Sequence, residues 1–248
     1  VRHVIDTVNG FDNVLYEISN ESDQSSLDWQ AHVVRLIKEY EAGKPKRHPV
    51  GMTAMWPGGR NDDLRASAAD WISPNGDVTS RPPNDGRKVV LVDTDHLCAV
   101  CGDRGWVWKS FTSGENPIFM DPYGFPPTPG VDLPWQLNDR LLMAVRTHLG
   151  YARALSTRID LATMLPRPDL AASGYCLART DMQAPEYVAY VDRSARVELD
   201  LRDATGSLRS EWLDPATGRW VPGASVHGGG RARLVSPTQG DTVVRLHR

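Results

Sequence analysis

Two short polar stretches carry the residue types that could do chemistry. Asn20 and Glu21 set an amide beside a carboxylate after the run Asn13 to Ser19, and Asp93, Asp95 and His96 follow the run Lys88 to Val92. A carboxyl group held at such a point can give or take a proton once partial burial or a neighbouring negative charge raises its pKa. Aspartates two apart share a face of an extended chain, and one of them can fix the tautomer of an adjacent histidine. Each stretch also has a plainer reading. Asn20-Glu21-Ser22 suits the N-terminal cap of a helix, and Asp93-Thr94-Asp95 suits a turn whose side chains accept from backbone N–H groups. Glu17, earlier in the first run, is a further inward-pointing candidate.

The elements that must hold these residues alternate in the first part of the chain. Val14, Leu15, Tyr16 and Ile18 favour a short buried strand, which Ser22, Asp23 and Gln24 cannot continue. A helix then begins near Asp28, with Trp29, Val33, Leu36, Ile37 and Tyr40 on its apolar stripe and Gly43 with Pro45 as its stop. Asn20 and Glu21 therefore sit at a strand-to-helix corner, where a β/α barrel does its chemistry. Pro49 to Met55 is the next apolar run, closed by Trp56-Pro57-Gly58-Gly59, and Ala69 to Ile72 is a weaker strand. Lys88 to Val92 is nearly all β-branched and reads as buried on both faces of a parallel sheet. A short helix over Trp106 to Phe111 precedes a buried strand over Asn116 to Met120, which ends at Asp121-Pro122-Tyr123-Gly124. Leu137 to Leu149 is a helix with Gly150 as its stop.

From about Ala172 the apolar period changes to two. Tyr175 to Ala178, Glu186 to Val191, Arg196 to Leu201, Leu208 to Leu213, Arg231 to Val235 and Thr242 to Leu246 alternate as short strands between turn clusters. That spacing implies an antiparallel sandwich. Pro166 and Pro168 mark the link, so the expected division is 1–165 and 166–248.

Composition excludes several classes. The net charge of -3 comes with scattered arginines, whereas nucleic acid as a partner needs clustered basic residues, so none is expected. No apolar run approaches the roughly 18 residues of a membrane span. Three cysteines make no disulfide framework. Cys98 and Cys101, spaced CxxC with no second pair, read as incidental loop residues ahead of a strained disulfide or an adventitious metal site, and Cys176 as a small core residue. No metal and no cofactor are expected. The chain opens on Val1, so a leader or a longer N-terminal portion outside this sequence is expected, with a secreted or periplasmic setting.

The run Val89 to His96, then Trp106 to Phe111 and Asn116 to Tyr123, together with Asn13 to Glu21, resembles the apiosidase-like and cellulase-like glycoside hydrolases. Tyr187 to Tyr190 and Glu211 to Pro215 with Thr217-Gly218 resemble the C-terminal sandwich of that family, which carries a collagen-binding label. The resemblance implies the C-terminal portion of a (β/α)8 TIM barrel followed by an antiparallel β-sandwich. Val14–Ser19 would be the fourth barrel strand, Val50–Thr53 the fifth, Ala69–Ile72 the sixth, Val89–Val92 the seventh and Asn116–Met120 the eighth, with the first three absent.

It further implies that Glu21 is the acid/base carboxylate, Asn20 the amide gripping a sugar hydroxyl, and Asp93 or Asp95 the second carboxylate of a retaining reaction. His96, Trp56, Trp106 and Asp121 would line the carbohydrate site, with Trp56 as the best of the flat platforms that also include Trp71 and Trp108. Trp108, on a helix, fits the core better. The partners implied are a carbohydrate substrate and either a second copy or a complementary barrel segment covering the open strand edges. The competing readings are a non-catalytic carbohydrate- or matrix-binding protein and an inactive fragment of a longer glycosidase.

Overall fold

The computed structural model describes residues 1–76, 84–121, 139–238 and 240–248. The chain divides into two compact units, Val1–Pro83 with Arg87–Ala99, and Asn84–Gly86 with Val100–Arg248. The second unit thus gathers the segment 100–165 with the C-terminal strands, whereas the sequence pattern groups that segment with the parallel ones.

Among the described residues, the first unit is built on four parallel strands, β1 (Tyr16–Glu17), β2 (Val50–Thr53), β3 (Trp71–Ser73) and β4 (Val89–Asp93), adjacent in chain order. Helix α1 (Arg2–Val8) precedes them, α2 (Leu27–Glu41) joins β1 to β2, and α3 (Asn61–Ala66) joins β2 to β3. Val33, Val34 and Ile37 of α2 are buried, as are Val50, Met52, Ile72 and Val90 of the strands. Helix α2 ends just before Gly43, but of its expected stripe only Val33 and Ile37 are buried: Trp29 is exposed, Leu36 and Tyr40 are partly buried, and Gln30 and Val34 are buried instead. Register places Gly51 opposite Trp71, and a Cβ at Gly51 would lie 1.9 Å from the Trp71 ring, so only glycine lets the indole cross the strand there.

Two strands differ from their sequence pattern. β1 spans only two residues, and Leu15 before it is 59% exposed, so the expected buried strand is a short edge strand with a single neighbour among the described residues. In β4, Val90 and Val92 are buried while Val89 is exposed. One face is covered, not both.

At the N-terminal ends of β1 and β2 lies a buried polar cage. Glu41 accepts from Asn9 Nδ2 at 3.0 Å, the Tyr16 hydroxyl at 2.9 Å and the His48 backbone N–H at 2.7 Å, and His48 Nδ1 is 2.8 Å from its Oε1. His48 Nε2 faces the Phe11 carbonyl oxygen at 2.8 Å. Both ring nitrogens therefore meet acceptors, which only the imidazolium can satisfy. The bond to Glu41, then that to Phe11, raise the His48 pKa above its ordinary value. Burial pushes the Glu41 carboxyl up, but its hydrogen bonds, led by the two from His48, outweigh this and leave it below the usual value. Burial, with Glu41 as its acceptor, pushes the Tyr16 phenol up to about 12.

The second unit opens with α4 (Arg104–Thr112), β5 (Glu115–Ile118) and α5 (Asp139–Ser156). Asp103 caps α4 by accepting from the Trp106 N–H at 2.7 Å. Trp108 Nε1 donates to His148 Nδ1 at 2.9 Å, tying α4 to α5. Helix α5 runs through Gly150 instead of stopping there. A Cβ at that exposed position would meet nothing within 4 Å, and glycine costs a helix interior only about 1 kcal/mol. Ile118 and Met120 are each 41% exposed, so the run expected as a buried strand is partly open. Pro122, Tyr123, Gly124 and Leu137 lie outside the described residues.

Nine strands complete this unit among the described residues: β6 (Leu165–Pro166), β7 (Cys176–Arg179), β8 (Glu186–Val191), β9 (Arg196–Asp200), β10 (Ser207–Leu213), β11 (Trp220–Pro222), β12 (Val226–His227), β13 (Arg231–Val235) and β14 (Thr242–His247). All pair antiparallel, in the order β11-β10-β14-β8-β7-β6 with β12 on β10, while β9 pairs β13 separately. Tyr187, Leu199, Leu208, Trp212, Val244 and Leu246 form their common core. Cys176 is free and buried in it, as expected. Cys98 and Cys101 are disulfide-bonded, which corrects the reading of them as incidental.

Candidate active site at the strand ends

The C-terminal ends of β1 to β4 deliver polar residues to one rim of the first unit. Ser19 to Ser22 follow β1, Thr53 ends β2, Ser73 ends β3, and Asp93 ends β4. The rim is laced together between strands. Thr53 Oγ1 donates to the Ser19 carbonyl at 2.8 Å, and the Ala54 N–H donates to the Ser73 carbonyl at 2.8 Å. Trp56 N–H donates to the Ser22 carbonyl at 3.1 Å, and Gln24 N–H to the Pro57 carbonyl at 3.3 Å, which joins the loops after β1 and β2. Ser19 and Ser22 share a hydroxyl–hydroxyl contact.

Two of the expected site residues meet directly. His96 Nε2 lies 3.1 Å from Asn20 Oδ1, so residues from the β1 and β4 ends touch despite their separation in the chain. The other imidazole nitrogen, Nδ1, lies 2.8 Å from Ser73 Oγ at the end of β3. Sequence reasoning missed Ser73. Its signal was a hydroxyl at a strand end just before Pro74, the position that aspartate takes in β4.

The carboxylates differ in their commitments. Asp93 Oδ1 accepts from the Asp95 N–H at 3.0 Å and caps a 3-10 turn over Thr94–His96, so the plainer reading of Asp93 holds in the structure. Asp95 is half-buried, and its side chain has no hydrogen-bond or ion-pair partner among the described residues. Glu21 is exposed and equally unpartnered among them, so the partial burial expected of an acid is not present. Its φ of 49° lies in the left-handed region, as do those of Ala99 and Arg193, at a cost of about 1–2 kcal/mol for a residue with a Cβ. Glu17 in β1 is exposed as well.

Of the tryptophans, Trp56 is 64% exposed and tethered through its backbone, as a platform requires. Trp106, expected at the carbohydrate site, is 2% exposed inside the second unit, and no ring face is open to a sugar. Trp71 and Trp108 are buried too, the latter as its helical position implied. Asp121 belongs to the second unit, where Arg146 grips it with Nε at 2.8 Å and Nη2 at 2.5 Å. A fork of that kind commits the carboxylate to arginine. Among the described residues no group of three or more histidines, cysteines or acids could hold a metal ion, and no helix is long and apolar enough to cross a membrane.

No family model matches the chain, and no curated protein matches it. Its fold is similar to those of solved glycoside hydrolases. A protein described only as a glycoside hydrolase superposes with a TM-score of 0.62 at 12% identity, over 99% of this chain and 67% of its own. A glycoside hydrolase family 5 structure from Bacteroides vulgatus ATCC 8482 gives 0.64 at 12%, over 99% of this chain and 65% of that one. The catalytic domain of GH30 xylanase C from Talaromyces cellulolyticus gives 0.53 at 10%, over 100% and 65%. The chain thus spans about two-thirds of their length. At these identities the likeness is one of fold: a mixed α/β part with a partial parallel sheet, then antiparallel sheets, in an arrangement related to several glycoside hydrolase families.

Proposed function

We propose that this chain is a glycoside hydrolase, or the C-terminal portion of one, that cleaves O-glycosidic bonds of plant or microbial saccharides with two carboxylates. The observation that carries the reading is the Asn20–His96 bond, because the residues next in sequence to its two ends are Glu21 and Asp95, whose carboxylates have no partner among the described residues. Glu21 serves as acid/base, Asp95 as the second carboxylate, and Trp56 as the platform. Asp93 holds the turn that presents Asp95. A retaining reaction sets the two carboxyl groups about 5–5.5 Å apart, an inverting one about 6.5–9.5 Å. Retention, and kinship with the apiosidase-like enzymes and their sandwich, are the finer form of the reading.

Assembly belongs to it as well. Among the described residues β1 has one strand neighbour and sits at the sheet edge, where unpaired backbone groups invite another strand from a second copy or from a segment outside this sequence. A secreted or periplasmic setting fits the disulfide-bonded Cys98 and Cys101, since such bonds persist in oxidising compartments.

The test is a panel of aryl glycosides run with the wild-type chain, Asp93→Asn and Asp95→Asn, with native mass measured alongside. Turnover lost in Asp95→Asn and largely kept in Asp93→Asn is the expected result. Equal rates in both variants would move the second carboxylate elsewhere, and a monodisperse monomer would end the assembly argument. The exposure of Glu21 favours one second reading, a carbohydrate-binding protein without turnover. Saccharide binding by calorimetry with no hydrolysis would establish it.

A further inference from the structure

We propose that Ser73 and His96 are positioning residues that lock the Asn20 carboxamide in one orientation, so that the site offers its ligand an N–H donor. The inference rests on the reading of Asn20 as a substrate-binding residue.

The argument starts from Ser73, which is 2% exposed at the end of β3. Its hydroxyl has a single hydrogen-bond partner among the described residues, His96 Nδ1 at 2.8 Å. A buried O–H without an acceptor is strongly disfavoured, so the hydroxyl donates and Nδ1 accepts. A neutral imidazole that accepts at Nδ1 carries its proton on Nε2. Nε2–H in turn needs an acceptor, and the carboxamide oxygen of Asn20 is 3.1 Å away. The relay therefore runs from Ser73 O–H to His96 Nδ1, and from His96 Nε2–H to Asn20 Oδ1. The opposite flip of Asn20 would reverse every donor and leave the buried Ser73 proton with no acceptor.

The consequence falls on the free end of the amide. With Oδ1 engaged, Asn20 turns its Nδ2 hydrogens outward, and they have no partner among the described residues. Such a group recognises a hydroxyl or acetal oxygen and disfavours an ammonium, which can only donate. Ser73 is fixed by a strand and not by a loop, because Thr53 pairs with it across β2 and β3. The orientation is thus set before any ligand arrives.

The test reads the histidine directly. In protein labelled with nitrogen-15 at histidine, imidazole spectra recorded where the ring is neutral assign its tautomer, and the His96 signals are identified by their loss in His96→Asn. Wild type is expected as the Nε2–H form. Ser73→Ala should shift His96 towards a mixture of tautomers, and Ser73→Thr, which keeps the hydroxyl, should restore the single form. Where turnover is present, Ser73→Ala should lower kcat/KM roughly fivefold to tenfold, the worth of about one hydrogen bond, with Ser73→Thr recovering it. An Nδ1–H tautomer in wild type overturns the proposal on its own, even if Ser73→Ala does not fold. An unchanged tautomer in a folded Ser73→Ala does so too. Loss of the glycosidase reading would appear separately, as no turnover by the wild-type chain while the tautomer result stands.

Discussion

Tyr16 opens the short strand β1 and Asn20 lies in the segment that follows it, and their surroundings could hardly differ more. On the Tyr16 side, Glu41 accepts from Asn9, Tyr16 and both the backbone and ring of His48, and each imidazole nitrogen faces an acceptor. On the Asn20 side, Glu21 and Asp95 keep unpartnered carboxylates among the described residues, Asn20 has free N–H groups, and Trp56 shows its ring to solvent. Buried polar groups that are fully satisfied rigidify a fold. Groups left open at the end of a rigid sheet are free to be satisfied by something else. Partner counts thus separate a scaffold from a site more clearly than residue type does, since both ends contain a glutamate and a histidine.

That contrast can be broken most severely at Glu41. Glu41→Ala should cost about 3–5 kcal/mol in urea unfolding, because it strands a buried imidazolium. A loss below about 1 kcal/mol would mean that the cage does not hold the unit together. Glu21→Gln should do the reverse. Its stability should stay within about 0.5 kcal/mol of wild type, as for other exposed substitutions, while any glycosidase rate falls by roughly 10²–10⁴. A large drop in unfolding free energy for this variant would erase the distinction between the two ends.

The pH profile sharpens it further. His48, raised above its ordinary 6.5, contributes stability that is complete below about 6.5 and is lost as pH climbs through its folded value. Glu41, lowered from 4.5, contributes stability present above about 4.5 and lost as pH falls through its folded value. Urea midpoints measured from pH 4 to 9 should therefore peak between those limits on account of the cage, and Glu41→Ala should flatten the profile. The smallest effect is at Trp56. Covering on the order of 50 Å² of sugar C–H surface is worth about 1 kcal/mol, so Trp56→Ala should raise KM about fivefold with little change in kcat.

The sandwich strands were the most legible part of the chain. Glu186–Val191 and Arg231–Val235 match their expected bounds, but only β13 keeps the expected alternation: Ala232 and Leu234 are buried between exposed arginines and Val235, whereas β8 is buried from Glu186 to Tyr190. Period two survives where one face is covered. The parallel strands were harder, because a run such as Val14-Leu15-Tyr16 looks the same whether it is central or at an edge. Only the neighbour count, which is tertiary information, decides that Leu15 faces water. At the rim, residue type located Asn20 and His96 but could not pair them, since their bond joins β1 to β4 across the sheet. The cage was invisible for the same reason, as Asn9, Tyr16, Glu41 and His48 come from four separate segments.

Gly51 beneath the Trp71 indole has a consequence for covariation. Since a Cβ would lie 1.9 Å from the ring, no side chain at 51 can coexist with tryptophan at 71 in this register. Gly51→Ala alone should destabilise the first unit by about 1–3 kcal/mol through overpacking, and Trp71→Leu in the same chain should recover part of that loss. In homologous chains the two positions should therefore change together. An alanine or serine at the first paired with tryptophan at the second would mark a sheet whose strands have slipped or spread apart.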